Sequence, residues 1–159
     1  MSRTIRLTIN EEIHDITIET RETLLEILRK RLGLTGTKLG CDQQVCGTCT
    51  VLMDHLPVSS CSVLGVDADQ TEILTIEGLA RNGTLHPIQK AFIEHGAFQC
   101  AYCTSGLILA IKALLDQAPR ADDERIRHFL AGNICRCGCQ MEILQAVHSL
   151  LKQSGEKET

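Results

Sequence analysis

The sequence predicts an α+β chain with a β-rich first half and an all-helical second half. Three observations predict it. Residues 3–18 largely alternate polar and apolar side chains, the period of a half-buried strand. From His86 onward the apolar residues follow helical spacing. Between these stretches, Glu77 to Leu85 carries Gly78 and Gly83 and reads as a linker, so the expected domains are 1–77 and 78–159.

The elements follow in order. Arg3 to Ile9 puts Ile5, Leu7 and Ile9 on one face of a strand. Ile13 to Ile18 returns after the polar Asn10-Glu11-Glu12, which makes a hairpin. Thr20 is the expected N-cap of a helix over Arg21 to Leu32, with Leu24, Leu25, Ile27, Leu28 and Leu32 as its apolar stripe. Gly33 follows as a C-cap. A loop rich in Gly and Cys spans Thr35 to Thr48. Short strands are expected at Thr50 to Met53, Leu56 to Val58 and Glu72 to Thr75, with Asp54-His55 turning the first pair. Helices are expected at His86 to His95, Thr104 to Gln117, Asp122 to Ala131 and Met141 to Leu151. Pro87 suits a first turn, where its missing N–H is no loss, and Asp122 suits an N-cap. Gln153 to Thr159 reads as a frayed polar tail.

Composition narrows the function. Of 159 residues, 43% are hydrophobic and 23% charged, a globular balance. With no Trp, one Tyr and three Phe, the core must be built from Leu, Ile, Val and Ala. The net charge of −4 and the lack of a long basic run argue against a nucleic-acid partner, whose phosphates need a positive patch. No apolar stretch approaches a membrane span, and the N-terminus has no apolar core of a signal peptide. The expected location is cytoplasmic. In such a reducing compartment, clustered cysteines are metal ligands or catalysts more often than disulfides. Nine cysteines would also leave one thiol outside any disulfide framework.

Cys41, Cys46, Cys49 and Cys61 form the first set. Four residues separate the first two, two separate the next, and eleven precede the last. This is the spacing by which plant-type ferredoxins hold a [2Fe–2S] cluster. Each iron needs two thiolates; a wrapped loop delivers three, and a neighbouring element supplies the fourth. Gly40 and Gly47 allow the loop backbone to approach and aim N–H groups at the sulfurs. The hydroxyls of Thr48 and Thr50 are candidate further donors. The rival is zinc, which also accepts four thiolates but favours two separated knuckles.

Cys100, Cys103, Cys135 and Cys137 form the second set, each pair lying at a helix junction where N–H groups favour thiolate. Spacing alone leaves it open between a cluster, a zinc site and a redox disulfide. Cys139 is the ninth; Cys137-Gly-Cys139 is formally another ligand pair, but a small buried hydrophobe is the favoured role. The six histidines are scattered, and none joins a cysteine motif as a Rieske centre requires. No nucleophile triad, phosphate loop or dinucleotide fingerprint is present. The chain thus lacks a site for substrate chemistry of its own, and no catalytic residue is assigned.

Thr35-Gly-Thr-Lys-Leu-Gly-Cys-Asp42, Cys46-Gly-Thr-Cys-Thr-Val51, Gln99-Cys-Ala-Tyr-Cys-Thr-Ser-Gly106 and Ala131-Gly-Asn-Ile-Cys-Arg-Cys137 resemble the small iron–sulfur subunit of the xanthine oxidase family of molybdenum hydroxylases. The resemblance runs from about Arg3 to Leu151. It implies an N-terminal β-grasp, ferredoxin-like domain and a four-helix domain holding a second [2Fe–2S] cluster on Cys100, Cys103, Cys135 and Cys137. It implies a hetero-oligomer with a large molybdopterin-binding subunit, with or without a dinucleotide on the pterin, and usually a FAD-binding medium subunit. Electrons would pass from molybdenum through the helical-domain cluster and then the ferredoxin-like cluster to FAD or another acceptor. Gln99 would contact the pterin, and Cys137 would lie on the molybdenum side. The alternative is a free-standing two-cluster ferredoxin, against which the helical half argues. The chain departs from the family at Ser105, at Gly138-Cys139-Gln140, where the family has an aromatic, and at Gln43-Gln44.

Overall fold

The computed structural model describes residues 1–156 and begins with the hairpin that the alternation predicts. Strand β1 (Ser2–Ile9) pairs antiparallel with β2 (Glu12–Glu19), from Ser2 opposite Glu19 to Ile9 opposite Glu12. Asn10 and Glu11 turn the chain with φ of 51° and 74°, the left-handed pair a tight two-residue hairpin needs.

The first helix starts later than expected. Thr20 donates its N–H to the carbonyl of Met1, extending the hairpin ladder, and is therefore not the cap. Thr23 caps instead. Its hydroxyl accepts from the Glu26 N–H, and the Glu26 carboxylate accepts from the Thr23 N–H, a reciprocal capping box. One α-turn, α1 (Leu24–Glu26), then widens into a π-type turn over Ile27–Arg31. Gly33, at φ 70°, ends it.

Strands β3 (Thr50–Met53), β4 (Leu56–Ser59) and β5 (Glu72–Leu74) complete a mixed sheet in the order β2-β1-β5-β3-β4. Only the β1–β5 pairing is parallel. Asp54 and His55 turn β3 into β4 with φ of 48° and 66°. Because adjacent strand residues face opposite sides, Val51 and Leu52 serve different cores. Val51 joins Ile5, Leu7, Ile9, Ile73 and the helix residues Leu24, Ile27 and Leu28. Leu52 faces the helical half, against Leu109 and Ala113.

Four helices follow: α2 (Pro87–Glu94), α3 (Thr104–Gln117), α4 (Asp123–Leu130) and α5 (Gln140–Glu156). Asp122 caps α4 by accepting from the Arg125 N–H at 2.9 Å. Phe92, Leu107, Ile111, Leu114, Ile126 and Val147 fill the second core. α3 has a buried surface on both flanks, towards this core and towards the sheet, so it is the element that ties the halves together. α5 runs beyond the expected end at Leu151 and takes in Gln153 to Glu156; the remainder of the expected tail, residues 157–159, lies outside the described residues. Among the described residues no helix is long and apolar enough to cross a membrane.

Candidate functional site

The loop before β3 is bent around its own thiols. Asp42, Gln44 and Gly47 all have positive φ (58°, 57° and 67°), which turns successive N–H groups inward. The Sγ of Cys41 accepts from the N–H groups of Val45, Gln43 and Cys46, each at 3.4 Å. These donors hold the Cys41 thiol down at about 7, below the ordinary thiol range. Gly40 is required by proximity: a Cβ there would stand 2.8 Å from the Cys46 Sγ.

Cys49 and Cys61 lie deeper, buried with Leu25 in a small cluster of their own. Burial pushes the Cys49 thiol up to about 11, and the adjacent Cys61 sulfur adds to the shift. The first set is thus asymmetric. Cys41 and Cys46 are half-buried, close together and turned towards the exposed loop, whereas Cys49 and Cys61 are close together inside.

The second set repeats the arrangement. The Cys137 thiol donates to the Cys100 Sγ at 3.5 Å, with Cys100 exposed. The Tyr102 N–H and the Cys137 thiol together lower the Cys100 thiol. Inside, Cys103 lies against Cys135; burial, then the Cys135 sulfur, push the Cys103 thiol up to about 12. Burial opposes ionisation of Cys135, but the N–H groups of Cys139 and Cys137 outweigh it and bring its thiol below the ordinary value. All nine cysteines are free thiols. The eight sequence candidates therefore meet in four pairs: Cys41 with Cys46, Cys49 with Cys61, Cys100 with Cys137 and Cys103 with Cys135. Among the described residues no three His, Cys, Asp or Glu side chains close around a single-ion position. Two thiols at each of two metals is the donor set that a two-iron group needs, so the residues fit it better than they fit zinc.

Gln99 is exposed, and its amide donates to the Cys137 carbonyl at 3.3 Å. Phe98, Tyr102 and Met141 are exposed apolar residues from the segments that carry the Cys100–Cys137 pair. Thr50 does not serve a sulfur. Its hydroxyl donates to the Gly47 carbonyl at 2.7 Å and accepts from the Asn133 amide at 3.3 Å.

Sequence reasoning missed the seam between the two sets. The Ile134 N–H donates to the Cys46 carbonyl at 2.9 Å, and the Asn133 amide donates to the Gly47 carbonyl at 2.9 Å. Gly106, in the first turn of α3, lies so close that a Cβ would stand 2.3 Å from the same Gly47 carbonyl. The one available signal was that Gly106, Asn133 and Ile134 stand within the cysteine motifs without being ligand types.

Comparison with known proteins agrees with this geometry. Residues 7–78 match the 2Fe-2S iron-sulfur cluster binding domain model, and residues 75–148 match the [2Fe-2S] binding domain model. The nicotinate dehydrogenase small FeS subunit of Eubacterium barkeri is 44% identical over 144 residues, covering 91% of this chain and 92% of that one. The aldehyde oxidoreductase iron-sulfur-binding subunit PaoA of Escherichia coli is 42% identical, covering 90% of this chain and 69% of that one. Among solved structures, a chain of quinoline 2-oxidoreductase from Pseudomonas putida 86 superposes with a TM-score of 0.90 at 36% identity, covering 98% of this chain and 97% of that one.

Proposed function

The chain belongs to the small iron–sulfur subunits of the xanthine oxidase family of molybdenum hydroxylases, and from that premise we propose that it is the electron-transfer subunit of such an oxidoreductase. Cys41, Cys46, Cys49 and Cys61 hold one [2Fe–2S] cluster, and Cys100, Cys103, Cys135 and Cys137 hold the other. The four-pair arrangement of the thiols carries this reading, since each pair suits one iron. The division into a ferredoxin-like domain over 1–77 and a helical domain over 78–159 is supported by their separate hydrophobic cores. When bound, each cluster supplies a one-electron store.

The chain's own residues do the rest. The N–H groups of Gln43, Val45 and Cys46 stabilise charge on the Cys41 sulfur. Leu25 covers the Cys49–Cys61 pair. The Ile134–Cys46 hydrogen bond links the residue preceding Cys135 to a thiol-bearing residue of the first set. A short bonded bridge of this kind favours electron exchange between the two sites. The Cys100–Cys137 pair, in which Cys100 is exposed and Cys137 half-buried, is with Gln99 beside it the side that faces the donor. The donor is a large molybdopterin-binding subunit, with Gln99 contacting the pterin, and the acceptor is a FAD-binding subunit or an equivalent protein.

The test is composition and spectrum. Purified protein should contain about four irons and about four acid-labile sulfides per chain, and reduction should give two distinct paramagnetic signals. Zinc without sulfide would overturn the reading. Purification from the native host should bring larger subunits with the chain; a chain that isolates alone with both clusters would favour the free-standing ferredoxin.

A further inference from the structure

Tyr102 stands between two cysteines of the second set, yet its side chain serves the first. Its hydroxyl donates to the Leu39 carbonyl at 2.6 Å, across 63 residues of sequence. Leu39 lies two residues before Cys41. Among the described residues neither Tyr102 nor Leu39 belongs to a hydrophobic core, and each is half exposed (50% and 47%). Core packing therefore does not join them, and the hydrogen bond does. Both ends of that bond are prepared. Ala101 takes φ of 59°, in the left-handed region that a residue with a Cβ seldom adopts, and its carbonyl accepts from the Thr104 N–H at 3.3 Å. This turn mounts Tyr102 on the start of α3, the helix buried on both flanks. On the other side, the Arg29 guanidinium donates to the Thr35 and Thr37 carbonyls at 2.9 and 2.6 Å, which fixes the chain up to Thr37. The Ile134 N–H on the Cys46 carbonyl fixes the far end of the loop. Leu39, Gly40 and Cys41 lie between these anchors, and Tyr102 ties that stretch to the helical half.

We propose that Tyr102 is a positioning residue whose hydroxyl, on the Leu39 carbonyl, holds the Cys41 side of the first cluster at a fixed separation from the second. The inference rests on the reading that the two thiol sets hold two [2Fe–2S] clusters, and it adds a residue that is no ligand. Electron exchange between two centres falls steeply with their separation. A loop free to swing spreads that separation over a range, whereas a loop anchored at both ends does not. The two anchors are Tyr102, ahead of Cys41, and Ile134, at Cys46. With the first anchor lost, the loop keeps its thiols and the N–H groups of Gln43, Val45 and Cys46 that face the Cys41 sulfur. Each cluster should therefore persist while their mutual position loosens.

The experiment is electron paramagnetic resonance of the intact purified protein with both clusters reduced. Two nearby unpaired spins split each other's signals by an amount set by their separation, so the splitting reads the mutual position directly. Tyr102→Phe removes the hydroxyl and keeps the ring; Tyr102→Leu removes both. The unsubstituted protein should show two signals with a resolved mutual splitting. In Tyr102→Phe both signals should persist at unchanged midpoint potentials, with the splitting smeared or lost, and Tyr102→Leu should match it. An unchanged splitting in Tyr102→Phe overturns the inference, whatever Tyr102→Leu shows, because the ring alone would then suffice. Loss of either signal in Tyr102→Phe overturns it too, since the hydroxyl would then be required to bind a cluster and not to space the two. Two signals without mutual splitting in the unsubstituted protein would overturn the inference and leave the two-cluster reading standing. A single signal there would overturn that reading, and the inference with it.

Discussion

The N–H of Ile134 donates to the carbonyl oxygen of Cys46 at 2.9 Å, joining two residues that lie in different halves of the chain. Ile134 directly precedes Cys135, and Cys46 belongs to the first thiol set. The two sets are therefore held in one mutual position by the backbone, not by side-chain packing alone. Asn133 strengthens the joint with its amide on the Gly47 carbonyl and the Thr50 hydroxyl.

Asn133→Ala should loosen that joint. The variant loses the amide donor, while the Gly47 carbonyl keeps the Thr50 hydroxyl and the Thr50 N–H as donors. With no acceptor left wholly unsatisfied, the cost should be about 1–2 kcal/mol. A fall in denaturant midpoint at unchanged slope checks it; an unchanged midpoint would mean the bond contributes nothing net.

Gly106→Ala tests the same seam with an unusual sign. In an ordinary helix interior, replacing Gly by Ala stabilises by about 1 kcal/mol. Here the added methyl would stand 2.3 Å from the Gly47 carbonyl oxygen, which is backbone and cannot swing aside. Overpacking should reverse the sign and cost about 1–3 kcal/mol. Thermal unfolding of the two proteins side by side decides it, since a stabilised variant would show that the halves are not pressed together.

Cys49→Ser should remove the first cluster and spare the second. The two sets rest on different cores, the first beside Leu25 and the second among α2, α3 and α5. Iron should fall from about four to about two per chain, and one of the two paramagnetic signals should vanish. Loss of both signals would mean that the halves assemble their clusters as one cooperative unit.

How much of this was legible in sequence depended on how local the cause was. The bounds of α3, Thr104–Gln117, follow from an unbroken apolar pattern and match the expected span. The Asp54-His55 turn follows from a two-residue break between β-type segments. Thr20 misled because two threonines precede the same apolar stripe, and only the Met1 carbonyl, brought near by the hairpin, commits Thr20 to the sheet and leaves Thr23 to cap. The cysteine spacing marked the first set, whereas the two-by-two meeting of the thiols needed the folded chain. Asn133 and Gly47 are 86 residues apart, and no periodicity connects them. The burial of Cys139, by contrast, is what its favoured reading as a small buried hydrophobe expects, although its sequence neighbours Gly138 and Gln140 are exposed.

His86 makes α2 sensitive to acid. Its Nδ1 accepts from the Ile88 N–H at 3.3 Å, while the His86 backbone N–H donates to the Gln89 Oε1 at 2.9 Å. Only a neutral imidazole can accept at that nitrogen. Burial disfavours the charged form, Lys112 of α3 repels it, and Asp116 of α3 offsets part of the effect, so the folded value lies below the usual 6.5. Below that usual value the unfolded chain binds more protons than the folded one, so stability falls as the pH falls. The cap is at full strength above the unfolded value and is lost on acidification through the lower, folded one. His86→Asn keeps a cap acceptor that does not titrate. Comparison of the two proteins from about pH 7.5 down to about pH 5 isolates this contribution, since the other titrating groups are common to both. The unsubstituted protein should lose more thermal stability on acidification, and exchange of the Ile88 amide hydrogen should accelerate in it alone. Parallel pH profiles would show that His86 remains neutral throughout or that its cap does not matter.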